Sequence, residues 1–317
     1  LKRNLLNKII MILNDGIQKL YEYLKNKKYK KILIITGKNS YFKSGANIIL
    51  KSIIKEKNVN FFFKKNYVPE IKELKRIVKF ADKINPDLIL AVGGGAVIDY
   101  AKIVSCTDYN EISFKKIFLS KVIHNKKFEL CVIPTTAGSG AEVTSNSVIY
   151  IERKKFSFES FKLLPDYFIL VPHLVFRLNK KIKSSSGFDA ISQALESVLS
   201  LKSNKKSIYF AKKSLKLSME NYLNFLNKPN NTNTLNMCLA ANLSGKAINI
   251  SKTIAPHAVS YPFTSYFGIS HGHAVSLTLN KFLLFNYNNI NYSQSNFDLR
   301  KRYKILFSAT KTKSINE

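Results

Sequence analysis

The run Leu88-Ile-Leu-Ala-Val92 passes directly into Gly93-Gly94-Gly95 and then into an apolar-periodic stretch that ends at Lys102. A short, uniformly apolar run reads as a strand buried on both faces, and such strands belong to parallel sheets covered by helices. Three glycines between strand and helix let the backbone turn tightly and approach a ligand, while the helix start offers amide donors and the positive end of its dipole. The predicted unit is strand, phosphate-binding turn, helix, although its spacing is not that of the ordinary GxGxxG fingerprint. A second turn, Ile133-Pro-Thr-Thr-Ala-Gly-Ser-Gly-Ala-Glu142, again follows an apolar run. The hydroxyls of Thr135, Thr136 and Ser139, with the amides around Gly138 and Gly140, suit a phosphate or a ribose. Either turn alone is equally compatible with a plain connection; two after neighbouring strands argue for a nucleotide.

Strands are expected at Lys31 to Thr36, Asn60 to Phe63, Leu88 to Val92, Leu130 to Ile133, Val148 to Ile151 and Tyr167 to Val171. Helical patterns at Ser44 to Glu56 and Pro69 to Lys83 fall between them, the rhythm of a parallel sheet wrapped by helices. From about Ser184 the strand signals stop. Helical patterns follow at Ser184 to Leu201, Ser207 to Leu226, Thr234 to Ile250 and His271 to Phe285. The expected organisation is a nucleotide-binding α/β domain over residues 1–180 and an all-helical domain over 181–317 that binds metal and substrate, with a ligand in the cleft between them. The tail from Asn286 is rich in Asn and Lys without a clear closing helix, and the chain begins with Leu, so a C-terminally truncated fragment is expected.

With 317 residues and 45% hydrophobic content, the chain can bury a core of one large or two ordinary domains. Cys106, Cys131 and Cys238 are far apart and lack a CxxC, which argues against a disulfide framework or a zinc ribbon and for a reducing cytoplasm. Lys2 and Arg3 precede a short apolar run that Asp15 interrupts, so neither an export signal nor a membrane span is expected. The net charge of +31 is spread over nearly every segment, with short pairs such as Lys27-Lys28 and Lys154-Lys155 amid abundant Asn and Ile. Scattered lysines of this kind read as a compositional bias and a solvated surface. Without a zinc finger, RNA-recognition aromatics or a helix-turn-helix, nucleic-acid binding is not expected.

In the second half, Asp189 and Gln193 stand four apart and share one face of a helix, and His257 and His271 follow, fourteen residues apart. Together they offer three good metal ligands and one weak one. Each residue also has a plain reading: Asp189 as a helix-start carboxylate, Gln193 as a solvated residue, His257 as a packed histidine after Pro256, His271-Gly272-His273 as a helix-start turn. Behind two glycine loops, the whole set argues for a metal site.

These residues resemble the iron-containing (group III) alcohol dehydrogenase family. The resemblance rests on GGG-x-x-x-D-x-A-K at Gly93 to Lys102, PTTAGSGAE at Pro134 to Glu142, GFDA at Gly187 to Ala190, Pro256-His257 and His271-Gly272. It implies a Rossmann-like domain followed by an all-α domain, the dehydroquinate synthase-like architecture, with a divalent metal, Fe²⁺ or an ion such as Zn²⁺, facing the nicotinamide of NAD or NADP. The family's ligands are an Asp, matched by Asp189, and three His, two of them matched by His257 and His271. The third falls on Gln193, a poorer ligand for a borderline transition metal. A further family histidine is replaced by Tyr261. Gln and Tyr at these places resemble the branch that reduces phosphonoacetaldehyde to 2-hydroxyethylphosphonate.

The resemblance implies hydride transfer between NAD(P)H and a small aldehyde, with Gly93, Gly94 and Gly95 on the pyrophosphate and Asp99, Thr135, Thr136 and Ser139 on the nucleotide's path. Asp99 and Lys102 are equally readable as a helix-face pair. His273 or Tyr261 is the expected proton relay, and for a phosphonate substrate Lys252 or His273 would pair with the anionic group, Lys252 being equally readable as a solvated lysine. Gly37-Lys38 stands where the family often places an Asp on the ribose, so NADP is permitted. The expected assembly is a homodimer or higher homo-oligomer. Competing readings are a glycerol-dehydrogenase-like or dehydroquinate-synthase-like enzyme, a non-catalytic metal-poor relative, and a basic nucleic-acid-binding protein.

Overall fold

The computed structural model describes residues 16–26, 29–55, 57–107, 123 and 125–317; Lys2, Arg3, Asp15 and the Lys27-Lys28 pair lie outside the described residues. The chain divides into two compact units, Leu1–Thr136 with Ala141–Leu178, and Ala137–Gly140 with Asn179–Glu317.

The first unit runs α1 (Gly16–Asn26), β1 (Lys31–Gly37), α2 (Lys38–Lys43), α3 (Ala46–Ile53), β2 (Asn58–Lys64), α4 (Ile71–Ile84), β3 (Leu88–Gly93), α5 (Gly95–Val104) and β4 (Glu129–Pro134). It continues through β5 (Asn146–Ile151), β6 (Lys154–Glu159), β7 (Tyr167–Phe168) and α6 (Pro172–Phe176). Strands β2-β1-β3-β4-β7 form one sheet, parallel throughout. All of β3 and the centre of β1 are buried, as a sheet covered on both faces requires. On α4 the buried residues Leu74, Ile77, Val78 and Ala81 recur at helical spacing, which packs one face inward. Because β2 and β3 flank β1 on opposite sides, the strand order reverses between β1 and β3, the place where open α/β sheets receive ligands at the strands' carboxyl ends.

Two expected strands turn out differently. Val148 to Ile151 lies in β5, outside the parallel sheet, because Glu152 and Arg153, both at positive φ, fold the chain straight back into an antiparallel hairpin with β6. The stretch from Tyr167 is cut to two residues because Pro172 opens α6.

The second unit is helical: α7 (Lys180–Leu199), α8 (Lys205–Asn227), α9 (Asn231–Ser251), α10 (Ala255–Phe267), α11 (His271–Asn288) and α12 (Leu299–Thr310). Asn179, Asn204 and Asn230 cap the first three, the last two through reciprocal capping boxes. Helix α7 is central and carries small buried residues, among them Ala190, Ser192, Ala194 and Ser197, that let neighbours approach. The tail does hold a closing helix. Asp298 caps α12, and Tyr303 and Leu306 are buried within a stretch otherwise dominated by Lys and Arg. Among the described residues no helix is long and apolar enough to cross a membrane. Cys106, Cys131 and Cys238 are buried, and none of them is in a disulfide among the described residues.

Candidate metal centre

Helix α7 supplies Asp189, Gln193 and Glu196, spaced to share one face, and all three are buried. Because the Asn179 cap starts the helix at Lys180, Asp189 lies well inside it, and its reading as a helix-start carboxylate is excluded. Helix α11 brings His271 to this face. At Gly272 a Cβ would lie 1.9 Å from the Ser185 carbonyl oxygen and 3.1 Å from the Asp189 Cβ, so only glycine allows the approach. Helix α10 brings His257, with Pro256 in its first turn. The Ile254 amide that precedes α10 donates to Glu196 Oε2 at 2.6 Å, and His257 Nδ1 bonds Glu196 Oε1.

The result is a convergence of ligand atoms. His257 Nε2 lies 3.3 Å and His271 Nε2 3.8 Å from Asp189 Oδ1, and one donor atom from each of the three residues falls within 4.8 Å of the others. The two imidazole rings are 5.2 Å apart and inclined at 72°. Burial alone would raise the Asp189 carboxyl, but His271, His257 and the Gln193 amide outweigh it and hold the group below the usual range. Burial disfavours charge on His257, yet its bonds to Asp189 and Glu196 push its pKa up to about 9. One carboxylate oxygen with two imidazole nitrogens suits a borderline divalent ion, and a set of three protein ligands leaves positions open for a substrate. Glu196 fixes which nitrogen of His257 faces the site. The residues present therefore fit a metal such as Fe²⁺ or Zn²⁺.

Gln193 is buried beside the triad. It hydrogen-bonds the Asp189 carboxylate, and its Oε1 accepts from Ser244 Oγ at 3.1 Å. Tyr261 stacks on His271, ring centroids 5.7 Å apart and planes inclined by 9°. His273 is exposed, and its backbone amide donates to Ser185 Oγ at 3.3 Å.

In the first unit the Gly93–Gly95 turn and the Thr135-Thr136 pair that opens the second turn sit side by side, because Gly93 and Pro134 are in register at the ends of β3 and β4. The Thr135 amide donates to the Gly93 carbonyl at 3.0 Å, and a Cβ on Gly94 would lie 3.3 Å from Thr136 Oγ1. Gly94 is the N-cap of α5, whose first turn begins at Gly95. Among the described residues the buried Thr135 hydroxyl has no hydrogen-bond partner, so it is open to one from a ligand. Asp99 and Lys102 lie deeper on α5. Burial raises the Asp99 carboxyl, opposed by Lys102, Lys155 and the Val148 amide of β5. Gly138 and Gly140 belong to the second unit, where a Cβ would meet the Ser186 carbonyl oxygen at 2.7 Å and that of Ala241 at 2.5 Å. Close packing alone requires glycine there. Ser139 between them is half-buried.

Sequence reasoning missed Glu196 as a working residue. Its signal was an acid seven residues after Asp189 on the same buried face.

Comparison with known proteins agrees with this arrangement. The model of the iron-containing alcohol dehydrogenase family matches residues 7–172, and that of the C-terminal part of the Fe-containing alcohol dehydrogenase family matches residues 183–316. The chain is 33% identical over 211 residues to 4-hydroxybutyrate dehydrogenase of Clostridium kluyveri, covering 65% of this chain and 56% of that protein. It is 29% identical over 214 residues to phosphonoacetaldehyde reductase of Streptomyces viridochromogenes, covering 64% and 54%. The match thus spans little more than half the length of these relatives, and no single branch stands out. An iron-containing alcohol dehydrogenase structure from Thermotoga maritima superposes with a TM-score of 0.82 at 25% identity, over 93% of this chain and 80% of that one.

Proposed function

The chain belongs to the iron-containing alcohol dehydrogenase family, and from that premise we propose that it is a metal-dependent oxidoreductase that transfers a hydride between NAD(P)H and a small aldehyde. The observation that carries the reading is the convergence of Asp189, His257 and His271, with Glu196 behind His257. These three residues would hold a divalent ion, which supplies Lewis-acid polarisation of the carbonyl. Gln193 keeps Asp189 oriented from its side and is the remaining candidate ligand. Gly93, Gly94 and Gly95, at the start of α5, receive the pyrophosphate, and the Thr135 hydroxyl with Thr136 meets the nucleotide. The proton for the product oxygen comes through Tyr261, stacked on His271, or through the exposed His273. Gly37 and Lys38 admit a 2′-phosphate, so NADP serves as well as NAD.

Both relatives compared above are named for compounds that carry an acid group, which supports a short acidic aldehyde such as phosphonoacetaldehyde as substrate. The test is metal analysis of the purified protein, then NAD(P)H oxidation with a panel of acidic and neutral aldehydes, with His271→Ala as control. Turnover that needs metal and disappears in His271→Ala is the expected result. Full activity in His271→Ala, or no turnover in any metal-loaded full-length form, overturns the reading.

A further inference from the structure

Lys252 closes α9 at φ 63° and ψ 173°. A positive φ with ψ near 180° is essentially a glycine conformation, and a residue with a Cβ stays there only when its surroundings force it. Other positive-φ residues have ordinary reasons. Asn85 (ψ 67°) and Lys311 (ψ 32°) occupy the left-handed well at helix ends, and Glu152 with Arg153 makes the hairpin turn. At Lys252 the fold would be served better by glycine, so the strain points to a use for the side chain.

The turn is pinned from several directions. The Lys252 amide donates to the Ile248 carbonyl at 2.8 Å, Ser251 Oγ bonds the Lys252 carbonyl at 3.0 Å and Ser197 Oγ at 2.8 Å, and Ser200 Oγ donates to the Ser251 carbonyl. Two residues on, the Ile254 amide is held by Glu196, the same carboxylate that orients His257. Lys252 and Ile254 are thus at most about 7.6 Å apart along the chain. Lys252 is half-buried, and its ammonium on a flexible four-carbon stem has the reach to a substrate bound at the triad.

We propose that Lys252 is the specificity-determining residue for the anionic end of the substrate, pairing with a carboxylate or phosphonate remote from the aldehyde. This rests on the aldehyde-reductase reading above and names the residue that selects within it. The strain gives the proposal a signature that a solvated lysine lacks. Lys252→Gly relieves the backbone, so its metal-free form should melt higher than the parent, while its preference for succinate semialdehyde and phosphonoacetaldehyde over butyraldehyde falls by roughly ten- to hundredfold in kcat/KM, as for loss of a charged hydrogen bond. Lys252→Met should lose the preference without the gain in melting temperature, and Lys311→Gly should keep the preference.

A loss confined to one acid identifies whether the carboxylate or the phosphonate is the partner. An unaltered preference in Lys252→Gly overturns the proposal, as does a lower melting temperature with the preference intact. If the parent reduces no aldehyde, the functional reading fails by itself, and calorimetric binding of 4-hydroxybutyrate and 2-hydroxyethylphosphonate to the metal-loaded protein decides on Lys252. Binding lost in Lys252→Gly sustains the assignment; equal binding, or none in the parent, ends it.

Discussion

Lys102 in the first unit and Asp189 in the second are both charged, both on helices that carry family motifs, and both withdrawn from water. Lys102 Nζ has three protons and three acceptors, the Thr144 carbonyl at 2.8 Å, Thr144 Oγ1 at 2.9 Å and the Asn146 carbonyl at 2.9 Å. Burial pushes its pKa down while Asp99 and Glu142 pull it back. Nothing is left to offer a ligand, so this lysine ties α5 to the chain entering β5. Around Asp189, by contrast, two imidazole nitrogens face one carboxylate oxygen at 3.3 and 3.8 Å, longer than a charge-assisted hydrogen bond between committed partners. A buried charge that saturates itself is structural, whereas ligand groups held together only by a long 3.3 Å bond and a 3.8 Å approach leave room for a cation.

Replacing the saturated group should have the largest effect on folding. Lys102→Met leaves two backbone carbonyls, the Thr144 hydroxyl and the charge of Asp99 without their cation, and should cost about 3–5 kcal/mol of stability in chemical denaturation. Metal bound per folded molecule should stay at the parent level. If stability hardly moves while nucleotide binding is lost, Lys102 belongs to the cofactor site and the contrast breaks.

A smaller change should come from Glu196→Gln, and in the other currency. An amide in that position has one oxygen and one NH₂, so it can accept from either His257 Nδ1 or the Ile254 amide while opposing a donor to the other. Metal affinity should fall roughly 10- to 100-fold, the usual range for a partner that orients a metal-bound histidine. Competition with a chromophoric chelator measures it, and an unchanged affinity would reduce Glu196 to a packing residue.

How far the sequence reads correctly follows the same divide. The parallel sheet is legible because strands buried on both faces are uniformly apolar, as Leu88 to Val92 is. Strand β6 is not, because Lys154-Lys-Phe-Ser-Phe-Glu159 shows a charged stretch whose pairing depends on a turn at Glu152 and Arg153. Helix α12 hides its apolar stripe of Leu299, Tyr303, Leu306 and Phe307 among lysines and arginines. In the second unit Asp189, His257 and His271 stand out because only five histidines occur in the chain. Glu196 does not, since its role exists only once the start of α10 has been folded onto α7. The strain at Lys252 is a property of φ and ψ, which no residue pattern reports.

The smallest predicted effect separates the two buried sites by the sign of a pH dependence. In metal-free protein the folded state holds the His257 proton up to about 9, against an ordinary value of 6.5. The folded form therefore binds this proton more tightly than the unfolded chain does. Its stabilisation is complete below 6.5 and disappears as pH rises through about 9. Lys102 has the opposite sign: burial lowers its pKa, the folded state binds its proton less tightly than the unfolded chain, and the resulting cost shrinks as pH rises. Chelator-treated protein should lose roughly a few degrees of melting temperature between these two pH values in the parent relative to His257→Gln. Lys102→Met should steepen that decline, because it removes the term that opposes it. A parent and a His257→Gln variant with parallel pH profiles would mean that His257 is neutral in the empty site, and that Glu196 holds it only as a hydrogen-bond acceptor.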